Sequence, residues 1–195
     1  MPKRIKCVEL TPDLWPDLER LFGPNGACGG CWCMWWRVER GGKLWEDTKG
    51  EKAKRIFKRL VTTGQAHGIL AFAGEEPVGW CSFGPRTDFP RMERMRAYRP
   101  PDAAEVWSIN CFFISRAWRG QGVARELLAA AVRACRRHSV KILEGYPVTP
   151  TKAGKQLPAA FSWMGPFNIF EEQGFQVVQA DPPSKPLVRL VLDRG

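Results

Sequence analysis

Two stretches of this 195-residue chain combine residue types at spacings that do chemistry. The first is Arg119-Gly120-Gln121-Gly122-Val123-Ala124, which follows the apolar run Phe112-Phe113-Ile114 and opens an amphipathic stretch. Glycines let a backbone approach a ligand closely. The first amides of a helix have no partner inside it and sit at its positive dipole end. Arg119 adds a fixed cation. Such an arrangement is an anion site, and a pyrophosphate fits it. A plain strand-to-helix turn, needing glycine only for its geometry, gives the same R-G-x-G letters. The spacing is not G-x-G-x-x-G, and no G-K-[ST] follows for a P-loop.

The second stretch is Cys28-Gly29-Gly30-Cys31-Trp32-Cys33-Met34-Trp35-Trp36-Arg37. C-x2-C is a zinc half-site, but a structural site needs four ligands and no second C-x2-C or H-x3-H exists. No metal is expected. A thioredoxin-like redox role lacks its usual strand and helix context. Thiols and large aromatics also pack well together, which is the plainer reading. A third feature, the arginine-rich connection 86–99 (Arg86, Arg91, Arg94, Arg96, Arg99), either reaches a phosphate or acidic acceptor or is a solvated lid.

These residues need a scaffold. Arg4 to Leu10 alternates polar with apolar, as a half-buried strand does. Thr11-Pro12-Asp13 looks like a helix start, with Thr11 as N-cap and the helix reaching Phe22. Residues 23–43 read as irregular. A basic helix is predicted from Glu46 to Val61, with Ala53, Ile56, Phe57 and Leu60 on one face. Strands follow at His67–Ala73 and Pro77–Phe83. Residues 84–104 are too rich in proline for a regular helix. Val106–Ile114 reads as a strand buried on both faces. A helix spans Gly122–Arg137, a strand Val140–Leu143 reaches toward Tyr146, and a short helix covers Pro166–Gln173. Strands at Phe175–Val178 and Leu187–Leu192 close the chain. The order β-α-α-β-β-β-α-β-α-β-β predicts an α/β (α+β) domain, a mixed sheet with helices on it.

Composition narrows the class. Hydrophobic residues make up 44% and charged residues 26%, enough for one soluble core. No apolar run approaches a membrane span or signal peptide, so a cytoplasmic protein with no membrane partner is expected. Seven cysteines, an odd number, suit free thiols in a reducing compartment. The net charge of +10 permits a polyanionic partner. No nucleic-acid-binding signature accompanies it, so nucleic acid is not expected as the main partner.

Arg119-Gly120-Gln121-Gly122-Val123-Ala124 resembles the [RQ]-x-x-G-x-[GA] cofactor motif of the GNAT acetyltransferases. Phe112-Phe113-Ile114 looks like their bulged fourth strand, and Phe170-Glu171-Glu172-Gln173-Gly174-Phe175 like the end of their late helix. Cys31-Trp32-Cys33-Met34, Gly84-Pro85-Arg86 and Glu144-Gly145-Tyr146-Pro147-Val148 resemble a bacterial subgroup of unassigned substrate. The resemblance covers nearly the whole chain and implies one GNAT domain over 1–195. Within it, 106–175 would form the acetyl-CoA core and 11–63 the acceptor side.

The resemblance implies acetyl-CoA as cosubstrate and an N-acetyltransferase acting on an amine by direct attack. The amides of Gly120 to Ala124 would hold the pyrophosphate. The backbone of Phe112, Phe113 and Ile114 would pair with the pantetheine arm, and an amide near Phe113 or Ile114 would polarise the thioester carbonyl. The segment between the first two helices would line the acceptor pocket, making Trp32, Cys33 and Trp36 substrate-binding residues and Trp35 part of the same wall. The acceptor would be a small molecule or peptide, and the protein a monomer or homodimer.

Two positions depart from the family pattern. The usual late-helix tyrosine is Phe170, and the usual fourth-strand glutamate is Ser108. Glu144 and Tyr146, which alternation puts on one strand face, are the substitute catalytic candidates. The plainer reading makes them a salt-bridged strand end and a packing residue. Ser108 and Asn110 are lesser candidates for orienting water. A CoA-binding sensor without catalysis and a basic nucleic-acid-binding module are the alternative functions.

Overall fold

Alternation at the N-terminus yields β1 over Ile5–Glu9. The computed structural model describes residues 4–39, 41–93, 105–149, 163–181 and 183–192. Thr11-Pro12 does not begin a regular helix: a 3-10 turn spans Pro12–Leu14, and the Thr11 side chain makes no cap. α1 follows over Trp15–Phe22 and stops at Gly23, whose φ of 62° is left-handed. A short α2 covers Gly42–Glu46, and the predicted basic helix begins later than Glu46, as α3 over Glu51–Thr62 after Gly50 at φ 79°.

β2 (His67–Ala73) and β3 (Glu76–Pro85) form a hairpin. A short α4 occupies Pro90–Glu93 in the proline-rich connection. β4 covers Val106–Ile114, α5 Val123–Arg137 and β5 Ile142–Gly145. α6 covers Phe167–Glu172, β6 Gln176–Gln179 and β7 Leu187–Val191.

The sheet order is β1-β2-β3-β4-β5-β7-β6. Every neighbouring pair is antiparallel except β4 and β5. That parallel pair is short, running only from Val106↔Ile142 to Ser108↔Glu144. β4 continues to Ile114 while β5 ends at Gly145, so the strands part. Among the described residues, the far length of β4 has no strand partner on that side.

Each sheet face buries its own core. One core joins β2, β3 and β4 to Val123, Leu127, Leu128 and Ala131 of α5 and to Phe170 of α6. Gly79 on β3 makes the close approach: a Cβ there would stand 2.8 Å from Val123 Cγ1. The other face packs Trp80 and Leu70 against Trp15, Leu18 and Phe22 of α1 and Phe57 of α3. Burying a side chain of this kind contributes about 1.5–3 kcal/mol. A third cluster gathers Trp36, Phe89, Met92, Tyr146, Met164 and Leu187 beyond the split between β4 and β5. Among the described residues, no helix is long and apolar enough to cross a membrane.

Candidate active site

The turn from β4 into α5 carries the residues expected to bind an anion. Gly120 and Gly122 have φ of 73° and 80°, a conformation that L side chains adopt at a cost. A Cβ at Gly122 would meet only Arg125 Nη1, at 4.0 Å, so backbone conformation and not space calls for glycine there. Arg125 makes the first helical bond, N–H to the Gly122 carbonyl at 3.0 Å. The amides of Val123 and Ala124 precede it at the positive end of a 15-residue helix. Gln121 folds back, its Nε2 donating to the Ala117 carbonyl at 2.7 Å, and Arg119 Nε donates to the Ile114 carbonyl at 3.1 Å. Both bonds shape the turn. The Val123 side chain is core, which leaves its amide for a ligand.

A cavity of about 1030 Å³ runs from this turn along the open edge of β4 to the cysteine–tryptophan loop. Arg119, Gly120 and Ala124 line one end, and Phe112, Phe113 and Ile114 the middle. Cys28, Cys31, Cys33, Trp35, Trp36 and Trp45 line the other end, with Cys111 from β4. Trp163 and Asn168 close it from the α6 side. Along β4 the backbone groups of successive residues face opposite neighbours. Ser115 N–H bonds to the Val78 carbonyl of β3, whereas Phe112 N–H bonds to the Trp163 carbonyl at 2.6 Å. Alternation therefore turns the Ile114 amide to the open edge and the Phe113 amide to β3.

The cysteine–tryptophan end of the cavity holds two of the three residues expected to bind an acceptor. Cys33 and Trp36 line the cavity, and Trp36 Nε1 donates to the Asn110 carbonyl at 3.0 Å. Trp32 does not line it. Its ring stacks on Trp15 at 5.9 Å and tilts on Phe22 at 5.6 Å, inside the second core. The aromatic wall is Trp35, Trp36, Trp45 and Trp163. Trp45 crosses Trp35 edge-on at 4.9 Å, and the Arg91 guanidinium lies 3.8 Å from the Trp35 ring centre. Trp163 escapes a sequence reading because it stands far along the chain from the loop it joins, and Trp45, nine positions after Trp36, because the sequence shows no sign of the short helix that turns it back.

The Cys33 sulfur lies against the Trp80 indole. Trp80 Nε1 lies 2.9 Å from Sγ, and indole N–H only donates. A contact with Cys111 is the largest cause that lowers the Cys33 thiol. Against burial, it is joined by Trp80, the charge of Arg37 and Ser82, and these push the Cys33 thiol below its ordinary range. Cys111 is pushed well above it by its hydrogen bond to Cys33 and by burial. Arg37 is nearly buried; its Nη1 pairs with Asp88 at 3.1 Å, while Nε and Nη2 have no hydrogen-bond partner. Burial pushes Cys31 up to about 12. Its Sγ turns to the Gly26 carbonyl. Among the described residues, no group of three or more His, Cys, Asp or Glu is placed to hold a metal.

Glu144 and Tyr146 stand together, as alternation predicts, but neither lines the cavity. Both are 0% exposed. Glu144 receives Arg86 Nη1 at 2.6 Å and Arg189 Nε at 2.8 Å. Register explains the pairing, because Ser108 and Arg189 flank Glu144 on the adjacent strands. The Tyr146 hydroxyl gives its proton to Glu144 at 2.8 Å, so Ser108, 2.9 Å away, donates to it. Burial, then the charge of Glu144, push the Tyr146 phenol well above its usual value. Arg86 is thus bound into the buried network with Glu144 and does not reach outward, and Arg91 is stacked on Trp35. Arg94, Arg96 and Arg99 lie outside the described residues.

Phe170, at the usual tyrosine position, is fully buried against Phe112 and Phe175. A Cβ at Gly145 would run into its ring.

Comparison with known proteins matches this geometry. The acetyltransferase (GNAT) family profile matches residues 32–150. No curated protein sequence matches the chain significantly. Solved structures share the fold at low identity. The GCN5-related N-acetyltransferase of Kribbella flavida aligns over 98% of this chain and 100% of its own, with 16% identity and a TM-score of 0.56. The PaiA N-acetyltransferase of Thermoplasma acidophilum, in complex with coenzyme A, covers 97% and 99%, with 12% identity and a TM-score of 0.54. The putative acetyltransferase yncA of Salmonella typhimurium, with its cofactor acetyl-CoA, covers 98% and 95%, at 13% and 0.54. The chain belongs to the GNAT acetyltransferase family and is an acyltransferase of that class.

Proposed function

We propose that this enzyme moves an acetyl group from acetyl-CoA to the amine of a small molecule or peptide. One observation carries the reading: a single cavity joins the anion-binding turn of α5, the open edge of β4 and an aromatic wall. The Gly120–Gly122 turn and the Val123 and Ala124 amides suit a pyrophosphate. The edge of β4 suits the amide groups of a pantetheine arm. The Ile114 amide is placed to polarise the thioester carbonyl, a donation typically worth about 3–4 kcal/mol of barrier. The tryptophan wall suits an apolar or cationic acceptor. Holding both reactants in one cavity supplies much of the remaining rate.

Direct attack by the amine is the route the family resemblance favours. Glu144 and Tyr146 would then serve as positioning groups. Their buried network ties β5 to β7 and to Arg86 where β4 and β5 part, and so fixes the width of the cleft. Calorimetric titration with acetyl-CoA tests the reading, on the wild type and on Gly122→Trp. Tight binding by the wild type, weakened roughly 100-fold in the variant, is the expected result. No binding to well-folded wild type at near-millimolar acetyl-CoA would overturn it.

A further inference from the structure

The tryptophan end of the cavity is lined by aromatic rings and sulfur, and the charge packed on those rings is positive. We propose that the acceptor is a small, flat aromatic amine whose nitrogen is attached to the ring and uncharged at neutral pH. This acceptor class rests on the acetyl-CoA reading for its donor, and it decides between the apolar and cationic acceptors that a tryptophan wall suits.

The rings are set at right angles. Trp45 crosses Trp35 at 4.9 Å and 89°, and Trp36 crosses Trp35 at 6.5 Å and 75°. Perpendicular indoles make a corner in which a third flat ring lies along one face and meets the next edge-on, the two arrangements that aromatic rings prefer. Cys31, Cys33 and Cys111 line the same end, and sulfur contacts with an aromatic ring are favourable. Trp36 Nε1 is already bonded to the Asn110 carbonyl at 3.0 Å, so this indole offers its ring and no donor.

A cation finds this wall already engaged. The Arg91 guanidinium lies 3.8 Å from the Trp35 ring centre and 5.8 Å from that of Trp45. Arg91 is buried, and it donates to the Val38 and Glu39 carbonyls at 3.2 and 3.3 Å, so the guanidinium is fixed in place. A second cation on the cavity side of these rings would face like charge across them. Among the described residues that line the cavity, none is Asp, Glu or His. The segment 150–162, between the lining residues Thr149 and Trp163, has none in its sequence and carries Lys152 and Lys155.

The chemistry agrees with the lining. Direct attack needs a free amine. At pH 7 an alkylamine is protonated over its free form by roughly three orders of magnitude, and a base must take that proton. Glu144 and Tyr146 are buried away from the cavity. An arylamine shares its lone pair with its ring, is unprotonated at neutral pH and attacks as it enters. The nitrogen lone pair forms the new C–N bond to the thioester carbonyl carbon, and the bond from that carbon to the donor sulfur breaks. The nitrogen, now acidic, gives its proton to the departing thiolate or to water. An amide and a free thiol are left.

The test gives the whole chain acetyl-CoA and one of three amines: 4-methoxyaniline, 4-methoxybenzylamine, which carries the same ring with a charged nitrogen, and spermidine. Product is read by mass spectrometry and acetyl-CoA binding by calorimetry. At pH 7, kcat/KM for 4-methoxyaniline should exceed that for either other amine by roughly tenfold or more. It should stay level between about pH 6.5 and 8.5, while that for 4-methoxybenzylamine climbs close to tenfold per pH unit with its free base. Trp45→Ala should raise KM for 4-methoxyaniline about fivefold to tenfold and leave the acetyl-CoA Kd unchanged, and Trp45→Phe should restore most of the loss. Faster turnover of 4-methoxybenzylamine or spermidine at pH 7, or tight acetyl-CoA binding with no product from 4-methoxyaniline, would overturn the proposal and leave the donor reading intact. If acetyl-CoA does not bind, calorimetry with the amines alone decides the acceptor class. Preference for 4-methoxyaniline over 4-methoxybenzylamine would keep the aromatic class and sink the donor reading, and the reverse order would sink both.

Discussion

The two ends of the cavity both depend on left-handed backbone, and they obtain it differently. At the anion end it falls on glycines, Gly120 and Gly122. At the acceptor end it falls on Ala27, Trp32 and Cys33 as well as on Gly26, Gly29 and Gly30. Glycine adopts that conformation locally and at no steric cost, so the anion turn is encoded where it stands. Alanine, tryptophan and cysteine adopt it only because something distant holds them. Trp32 is that anchor, packed between Trp15 and Phe22 with the Lys54 ammonium 5.1 Å from its ring centre. The anion end is therefore a local device, and the acceptor end a product of the tertiary core.

Breaking the anchor should have the largest effect. Trp32→Ala is expected to lower stability by about 4 kcal/mol, as emptying a large buried aromatic site does, measured by urea unfolding. It should disturb the acceptor wall even though the Trp32 ring itself does not line the cavity. Next comes the buried network at the split between β4 and β5. Glu144→Gln leaves Arg86 and Arg189 facing a neutral group and should cost about 3 kcal/mol in the same assay. A change near zero would show that the network is not closed as described.

Gly122→Trp should weaken acetyl-CoA binding roughly 100-fold, about 2.7 kcal/mol, while unfolding changes far less than in Trp32→Ala. Equal effects of both variants on stability would erase the contrast between a local and a tertiary device. The smallest effect has the opposite sign. Ala27 sits at φ 69°, so Ala27→Gly should relieve strain and raise stability by about 0.5 kcal/mol, after the added entropy of the unfolded chain is subtracted.

What was legible in the sequence follows the same division. β2 and β4 were bounded correctly by apolar runs between turn residues, because strand pairing there serves two buried faces. The family motif located the anion turn because its glycines are needed in place. The start of α3 at Glu51 and the short α2 before it were not legible, since Lys and Glu continue across Gly50 with no change of pattern. Trp32 looked like a pocket residue because its neighbours are; only packing separates it from Trp36. Alternation put Glu144 and Tyr146 on one face, but it could not show Arg86, 58 positions earlier, closing over them. The Cys33–Trp80 contact spans 47 positions and left no local trace.

The Phe112 amide, finally, is already engaged by the Trp163 carbonyl. A ligand carbonyl that pairs there exchanges one hydrogen bond for another, and such an exchange contributes close to nothing. On the proposed acetyl-CoA reading, the donor's charged end, at Arg119 and the α5 amides, then carries a larger share of the binding. Attraction of that kind is screened over a Debye length of about 10 Å at 0.1 M salt. Donor occupancy in this enzyme should accordingly fall as ionic strength rises, more steeply than in a relative whose β4 edge is open along its whole length.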